Sequence, residues 1–324
     1  MTLVHASHRY AVYGACLASE LLFPELPSAD AGATPRWEFT TTPALAPMQD
    51  ETAIGDDHIY GSVHARLFAH ATGHRIVVDD TGVFDISLDR RRLQWEQRAD
   101  AWPDFVRSHL TGRVIATALY LDGLLPLHGS AVETADGVIG FLAPKGYGKS
   151  TLAWALTQAG ARLVTDDTLP VELLARDTDS SRAPSVMAWP GVHSMRLKED
   201  TLRAVGDAPQ TLGTNEGKQV VTDLPEARRL THPRPLVALY LLDPVHPDGV
   251  EVQWTALPPM LAAISVVAHV KIGRMLGAAA APVMLERAAT IARSVPVRRL
   301  QMPRELTRVR TIADTILSWH GGVA

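Results

Sequence analysis

Residues 140–151 carry the side chains whose types and spacing are most directly suited to chemistry: Gly-Phe-Leu-Ala-Pro-Lys-Gly-Tyr-Gly-Lys-Ser-Thr. An apolar strand leads into a glycine-rich turn and then into a helical stretch, which matches the phosphate-binding pattern G-x-x-x-x-G-K-[ST], except that Ala143 stands at the first glycine position. Gly146 and Gly148 would let the backbone curl so that successive amides point at phosphate oxygens. The candidate nucleotide-binding residues are Pro144, Lys145, Gly146, Tyr147, Gly148, Lys149, Ser150 and Thr151.

Lys149 and Ser150 have the most specific expected roles in this loop. Lys149 would bring a full positive charge to the β- and γ-phosphates, and the Ser150 hydroxyl would bind Mg²⁺. The N-terminus of the following helix adds the positive end of its dipole. Lys145 either adds charge near the γ-phosphate or points to solvent, and the sequence leaves both open. The alternative for the whole segment is an accidental glycine-rich turn between a strand and a helix.

A pair of carboxylates, Asp166 and Asp167, follows the apolar strand Leu163–Thr165, sixteen residues beyond Ser150. A β–α–β crossover would return this strand parallel to the strand before the loop, so that both carboxyl ends open onto one crevice. One carboxylate there would accept a hydroxyl proton and the other would hold a metal ion. The alternative is that the pair caps a turn, as aspartate often does.

His128, in the sequence His-Gly-Ser at 128–130, precedes the loop by one strand and turn. Taken alone it is one of 13 histidines, and a single histidine is more often structural than catalytic. His70 and His74 have helical i, i+4 spacing, but no His-Glu-x-x-His pattern or Cys/His cluster accompanies them, so no zinc site is expected.

The elements that would position these residues fall into two parts with a boundary near residue 100. Residues 1–100 form a β-rich N-terminal domain in which short strands alternate with turn formers. Residues 101–324 begin with a helix over 104–123 and continue as an α/β module. The expected strands are Tyr10–Ala15, Trp37–Thr42, Val63–Ala69, Arg75–Asp79, Val83–Leu88, Leu127–Val132, Val138–Leu142, Arg162–Thr165, Val171–Leu174, Val186–Trp189, Leu236–Leu242 and Val250–Trp254. Further helices are expected at Leu257–His269, Pro282–Ser294 and Glu305–Trp319, with loops at Asp177–Arg182 and Gly206–Gly217.

Composition excludes several classes of protein. The 324 residues are 46% hydrophobic and carry a net charge of −4, so the chain is neither disordered nor marked as a nucleic-acid binder. The single cysteine, Cys16, excludes an internal disulfide and favours a cytoplasmic location. No apolar run reaches the roughly 18–20 residues that a membrane span needs. We therefore expect a soluble protein that binds neither nucleic acid nor membrane.

The segments LHGSAV, VIGFLAPKGYGKSTLAWAL and AGARLVTDD together resemble the catalytic domain of HPr kinase/phosphorylase. They are more similar still to its bacterial HPr-kinase-like relatives, which include tailoring kinases of lasso peptides, and YAVYGACLASELLFPELP resembles the opening of those relatives. The order His, phosphate loop, Asp-Asp matches without gaps over residues 127–167. The resemblance implies an α/β fold in which a P-loop kinase domain of the HPr kinase C-terminal type follows a smaller β-rich domain, which is a candidate for substrate recognition.

The resemblance also implies roles for individual residues. Asp166 would take the proton from a serine hydroxyl, and Asp167 would assist Ser150 with the metal. His128 would lie beside the two carboxylates as a catalytic residue that tunes their protonation. WPGVHSMRL and GKQVV are more loosely similar to a segment that supplies an arginine and a lysine, which makes Arg196 and Lys218 candidates for stabilising the phosphoryl group. The implied cofactors are ATP and Mg²⁺, and HPr kinases assemble into rings, so a homo-oligomer is compatible with the family.

The E-x-R-G-type stretch of HPr kinases is not recognisable in this chain, so the resemblance does not establish the HPr protein as substrate and leaves phosphorolysis open. The leading hypothesis is an ATP- and Mg²⁺-dependent kinase that phosphorylates a serine or threonine of a peptide or small protein, for example a natural-product precursor. Two alternatives stay open at this point. One is a kinase for a small hydroxylated metabolite, and the other is a nucleotide-binding regulatory protein without transferase activity.

Overall fold

The computed structural model describes residues 8–174, 185–205, 211–215, 217–222, 224–245 and 251–323. The chain is a mixed α/β protein that divides into two compact units. The first contains residues 1–124 and 271–284, and the second contains residues 125–270 and 285–324. The chain passes from the first unit to the second after residue 124, whereas the sequence analysis placed a boundary near residue 100, and the helical segment expected to open the second domain is counted with the first unit.

The first unit is built on one eight-stranded sheet with the order β1-β2-β3-β8-β7-β6-β5-β4. Its strands are β1 His8–Val12, β2 Ala15–Ser19, β3 Pro35–Thr42, β4 Thr52–Tyr60, β5 Val63–His70, β6 Gly73–Val78, β7 Gly82–Ser87 and β8 Arg92–Glu96. Alternate residues of the strands are buried, among them Trp37, Phe39, Ile76 and Phe84. This period of two is the pattern of a sheet that buries one face.

A helical segment follows the sheet as α1 Pro103–His109, a π-helical turn over Leu110–Val114, and α2 Ile115–Leu121. Pro103 starts the helix at the position where its missing N–H costs nothing. The predicted helix over 104–123 is confirmed, with the π turn as a local departure. A 2.7 Å hydrogen bond from the Tyr13 hydroxyl to the Thr111 carbonyl ties the turn to the sheet.

The second unit contains the candidate chemistry. Its strands are β9 Leu125–Thr134, β10 Gly137–Leu142, β11 Arg162–Thr165, β12 Thr168–Leu173, β13 Val186–Ala188, β14 Met195–Leu197, β15 Thr211–Asn215, β16 Lys218–Val221, β17 Arg234–Val245, β18 Gln253–Ala256 and β19 Val297–Pro303. Its helices are α3 Lys149–Gln158, α4 Glu199–Val205, α5 Pro259–Ala268, α6 Ala281–Ser294, whose first turn is counted with the first unit, and α7 Val309–Ser318. Strands β14, β16 and β15 form a separate three-stranded sheet.

The main sheet of this unit aligns four strand ends along one edge. β10 and β11 both run antiparallel to β9, on its two sides, and are therefore parallel to each other. β17 runs parallel to β10, and β19 runs parallel to β17. The carboxyl ends of β10, β11, β17 and β19 consequently open at the same edge, which is where open α/β sheets bind ligands.

Helix α3 packs against this sheet through an apolar core. Its Leu152 and Leu156 are buried with Phe141 of β10 and with Ile312 and Ile316 of α7. All six residues of β10 are buried, so the strand is covered on both faces, and Phe141 lies on the face that packs against α3.

Several parts of the sequence prediction need correction. The single strand expected over Tyr10–Ala15 is two strands, β1 and β2, separated by a turn at residues 13–14, and residues 211–215, expected to be loop, form β15. The elements that the sequence did not predict are β4, β8, β14, β16, β19 and α4. The predicted loop Asp177–Arg182 lies outside the described residues. In the described parts of the chain, no helix is long and apolar enough to cross a membrane.

Candidate active site

The loop over residues 143–148 joins the end of β10 to the start of α3. Gly146 has a φ of 92° and Gly148 a φ of 88°, a backbone conformation that residues other than glycine rarely adopt. A Cβ added to either glycine meets no heavy atom within 4 Å, so the requirement is conformational and not a matter of space. Residues 144–147 are exposed, with Tyr147 at 40%. The loop therefore presents its backbone to solvent.

Ala143 departs from the expected glycine without strain. It is buried in the core beneath α3, and the positive-φ residues of the loop are Gly146 and Gly148. A Cβ is accommodated at this position because the curl of the loop begins only after it.

Lys149 is the first residue of α3, and its side chain bends back along the loop. Its ammonium donates hydrogen bonds to the Ala143 carbonyl at 2.7 Å and to the Pro144 carbonyl at 3.3 Å. The side chain is largely buried, so a full positive charge lies under the loop. Helix α3 begins directly after Gly148, whose backbone is left-handed. The first N–H groups of the helix have no partner within the helix and point toward the loop.

Asp166 follows β11 and is buried. β11 lies on one side of β9, and β10, the strand that leads into the loop, lies on the other side. Its Oδ1 accepts a 2.8 Å hydrogen bond from the Ser130 hydroxyl, and its Oδ2 accepts a 3.3 Å bond from the backbone N–H of Arg196. The Ser150 hydroxyl, in the first turn of α3, also stabilises the ionised form of this carboxylate.

The environment of Asp166 changes its acidity. Burial raises its pKa to about 6, and the negative charge of Asp167 acts in the same direction. The hydrogen bonds from Ser130, Ser150 and the Arg196 backbone oppose the effect of burial because they stabilise the ionised form. A carboxylate with a pKa near the working pH is suited to accept a proton and to release it again.

Asp167 and His128 form a second, more exposed pair beside the first carboxylate. The Nδ1 of His128 lies 3.5 Å from Oδ1 of Asp167 and 3.2 Å from the Asp167 carbonyl oxygen. The Thr168 hydroxyl donates to the other carboxylate oxygen at 3.1 Å. About half of the Asp167 side chain is exposed, so this carboxylate is accessible from solvent while Asp166 is not.

Local packing explains why His-Gly-Ser is the sequence of β9 at this point. A Cβ on Gly129 would lie 2.7 Å from the Phe141 carbonyl oxygen, so only glycine fits between the histidine and the serine. Thr168 pairs with His128 in the adjacent strand, which holds the histidine next to Asp167. Gly191 serves the same purpose beside β11, since its Cβ would lie 2.2 Å from the Thr165 hydroxyl.

The two basic candidates, Arg196 and Lys218, lie on the three-stranded sheet. Arg196 pairs with Val220 across β14 and β16, so Lys218, two residues from Val220, shares its face. The structure brings the backbone of Arg196 to Asp166. Lys218 is placed on the same face as Arg196, one strand further from the carboxylate.

Thr151 has a contact that was not expected for a nucleotide-binding residue. Its hydroxyl lies 3.3 Å from the hydroxyl of Thr201 on α4. This interaction links α3 to α4 and provides a structural role for Thr151 beside the predicted one.

Sequence reasoning assigned no role to Ser130, His269 or Arg304, which the fold brings to this edge. The carbonyl of His269 accepts a 2.6 Å bond from the His128 N–H. Burial lowers the pKa of the His269 imidazole, and the charge of Lys149 lowers it further. Arg304 contacts the loop at Gly146. Ser130 had a local signal, its place beside His128. His269 ends α5 and is held next to β9 by the bridge between Leu127 and Val270, and Arg304 is brought there by the pairing of β19 with β17.

The described residues include oxygen donors that suit Mg²⁺. In the parts of the chain that are described, no three His, Cys, Asp or Glu side chains converge as a metal cage. Mg²⁺ usually keeps several waters and binds through one or two protein oxygens together with substrate phosphates. The Ser150 hydroxyl at the start of α3 and the accessible Asp167 carboxylate are oxygen donors of that kind, so the residues fit the ion.

Comparisons with known proteins give little further information. No family model matches the sequence, and no curated protein matches it. Among solved structures, the Hpr(Ser) kinase/phosphatase from Coxiella burnetii is similar, with a TM-score of 0.32 and 10% identity, covering 60% of this chain and 95% of that chain. The likeness is a distant one, and it assigns neither a family nor an activity to this chain.

Proposed function

We propose that the protein is an ATP-dependent kinase that transfers the γ-phosphoryl group to a serine or threonine hydroxyl of a peptide or small protein, with Mg²⁺ as cofactor. The observation that carries the proposal is the environment of Asp166: a buried carboxylate with a pKa of about 6, which accepts a hydrogen bond from Ser130 and whose ionised form the Ser150 hydroxyl at the start of α3 stabilises. The acceptor of a proton and the helix N-terminus that would hold phosphates therefore lie together.

The reaction needs few chemical groups from the protein. The acceptor hydroxyl oxygen forms a bond to Pγ while the bond between Pγ and the β–γ bridging oxygen breaks, and the electron pair leaves with ADP. Asp166 takes the hydroxyl proton. Lys149 and the backbone amides of the 143–148 loop stabilise the charge of the phosphates, which is the main contribution of proteins to this reaction.

Ser150 and Asp167 would hold Mg²⁺, which supplies charge neutralisation of the phosphate oxygens when bound. His128, in contact with Asp167, orients that carboxylate. Arg196 and Lys218 share one face of the small sheet, whose Arg196 backbone N–H reaches Asp166, and would stabilise the transferring phosphoryl group.

The choice of a peptide or small protein as acceptor depends on the first unit. An eight-stranded sheet in the same chain provides a surface that a small metabolite would not require. A natural-product precursor peptide is an acceptor of this class, and ATP, Mg²⁺ and the buried free thiol of Cys16 agree with a cytoplasmic location.

The test compares the parent protein with Asp166→Asn, using γ-labelled ATP, Mg²⁺ and a library of serine- and threonine-containing peptides. The parent should label peptides, whereas the variant should bind ATP with unchanged affinity and transfer at least about 10²-fold more slowly, the scale of a lost general base. Asp314→Asn, which changes an exposed carboxylate on α7, is the matched control.

Three other outcomes of this experiment would change the proposal. Loss of nucleotide binding together with transfer in Asp166→Asn would assign Asp166 to metal binding instead. Labelling of a small hydroxylated compound and of no peptide would replace the acceptor class. Binding of Mg-ATP without any labelled product would support a regulatory protein that lacks transferase activity.

A further inference from the structure

Arg304 is the first residue after β19, and its side chain reaches the 143–148 loop. Its Nη2 lies 3.5 Å from the carbonyl oxygen of Gly146 and donates a long hydrogen bond to it. The residue is exposed, and among the described residues its guanidinium has this contact and no ion pair. A permanent positive charge is therefore held beside the loop by one weak bond to a neutral group.

The order of the strands places Arg304 on a definite side of the loop. Along the shared edge the order is β11, β9, β10, β17 and β19. Neighbouring strands are about 4.8 Å apart, so β11 and β19 each lie about 10 Å from β10, on opposite sides. Asp166 and Arg304 therefore flank the loop from opposite directions.

β17 and β19 also extend further than the loop strand does. β10 ends its pairing at Leu142, opposite Leu241, whereas β17 and β19 continue to pair as far as Val245 and Pro303. The two longer strands rise past the end of β10, and they carry Arg304 up to the level of the loop. Its position thus follows from regular structure and not from a flexible segment.

Resting on the proposed kinase function, we propose that Arg304 binds the polyphosphate of the nucleotide, on the side of the loop that faces away from Asp166. The acceptor hydroxyl must approach Pγ from the Asp166 side because Asp166 receives its proton. A guanidinium on the opposite side meets the part of the nucleotide that leaves as ADP. Arg304 is therefore a nucleotide-binding residue and does not contact the transferring group.

The expected effects follow from this placement. Arg304→Ala should weaken the binding of ATP and of ADP by about the same factor, roughly 10-fold, the lower end for a charge-assisted hydrogen bond. Binding of adenosine, which has no phosphates, should be unchanged. The kcat at saturating ATP should stay within about twofold of the parent, so that the change appears in KM for ATP.

The experiment titrates mant-ADP, ATP and adenosine into the purified full-length parent, Arg304→Ala, Arg304→Lys and Arg299→Ala at low and high salt. Arg299, an exposed arginine on the same strand, is the matched control and should bind like the parent. Arg304→Lys keeps the charge without the planar fork and should recover part of the affinity. The deficit of Arg304→Ala should shrink at high salt because ions screen an exposed charge.

Failure of this inference is distinguishable from failure of the proposed function. A parent that binds ADP, with Arg304→Ala binding ADP equally well, would overturn the inference alone. Equal weakening of ADP and adenosine would show that Arg304 acts on the fold of the loop and not on phosphates, which also overturns it. A parent that binds no nucleotide would overturn the proposed function and this inference with it.

Discussion

The Ser130 hydroxyl donates a 2.8 Å hydrogen bond to Oδ1 of Asp166, and both residues are buried. A buried carboxylate is costly when it is ionised, and each donor that faces it lowers that cost. Ser130 on β9 therefore sets part of the acidity of Asp166, the residue that follows β11. Without this donor the carboxylate would keep its proton to a higher pH.

Removal of the serine hydroxyl should move the pH dependence of the reaction. Because the bond stabilises the ionised form, Ser130→Ala should raise the pKa of Asp166 above its value of about 6. Transfer requires the ionised form of Asp166. The rate of the parent should therefore decrease as the pH is lowered below about 6, and the rate of Ser130→Ala should begin to decrease about one pH unit higher. The measurement is kcat/KM for transfer between about pH 5 and about pH 8.

A matched control separates this effect from lost stability. Thr134→Val also removes a buried hydroxyl from β9, one that donates to the Gly137 carbonyl at 2.9 Å. It should destabilise the protein to a similar degree and leave the pH profile in place. Identical profiles for Ser130→Ala and the parent would mean that Asp166 does not control the rate.

The free energy of unfolding should also depend on pH through the titration of Asp166. The pKa of Asp166 is raised in the folded state from an ordinary value of 3.8 to about 6, so the folded state holds the proton more tightly than the unfolded state does. The free energy of unfolding therefore decreases as pH rises between those two values, and the loss is complete above about pH 6.

Asp166→Asn lacks this titration. The stability of the variant relative to the parent should increase by up to about 3 kcal/mol between about pH 4 and about pH 8, the equivalent of roughly two pKa units. Urea unfolding of both proteins at a series of pH values measures it. A difference that is constant with pH would show that Asp166 titrates normally.

Lys149 should be required for both phosphate binding and the shape of the loop. Lys149→Ala removes the buried charge and two hydrogen bonds to the carbonyls of Ala143 and Pro144. Transfer should fall by about 10²–10³-fold, the scale of one preorganised electrostatic contact. Arg293→Ala, on the exposed face of α6, is the control and should keep parental activity. If Lys149→Ala transfers phosphate as fast as the parent, the loop does not bind the nucleotide.

Replacement of either loop glycine by alanine should destabilise the protein, because both glycines have a left-handed backbone. Gly146→Ala and Gly148→Ala should each reduce the free energy of unfolding by about 1–2 kcal/mol, the cost of a left-handed backbone at a residue with a Cβ. Nucleotide binding should weaken as well, because any relaxation of φ turns the loop amides away from the phosphates.

Gly32→Ala provides the comparison for these variants. An added Cβ at Gly32 also meets no atom within 4 Å, but the backbone there is not left-handed, so stability should change by less than about 0.5 kcal/mol. Thermal unfolding of the three variants checks the expectation. Equal stability of all three would mean that the loop relaxes at no cost.

Much of the local structure was predictable because it depends on neighbouring residues. Stretches rich in β-branched and aromatic residues between turn formers indicated β3, β5, β6 and β7, and helical spacing of apolar residues indicated the segment after Pro103. β4 was missed because Thr52–Tyr60 is an edge strand with no fully buried residue, so it carries no alternating apolar pattern. β8 was missed because it is short and its charged positions dilute the signal.

Part of the candidate site could be predicted from the sequence, and part depends on the tertiary structure. The loop, its left-handed glycines and the start of α3 at Lys149 follow from residues within one turn of each other, so the sequence alone predicted them. Asp166 could be nominated from its place after a strand, but its raised pKa could not, since that value depends on burial and on donors 36 and 30 residues away in the chain.

What the sequence determined by itself is therefore the local geometry of a glycine loop at a helix N-terminus, a paired carboxylate after the next strand, and most of the strands and helices. What only the tertiary structure decided is which side chains meet there. Ser130 reaches Asp166 because β9 separates β10 from β11, and Arg304 reaches Gly146 across 158 residues because β19 pairs with β17. Strand order and register are set by the burial of whole faces of a sheet, a free energy summed over many distant residues, and no short stretch of sequence contains it.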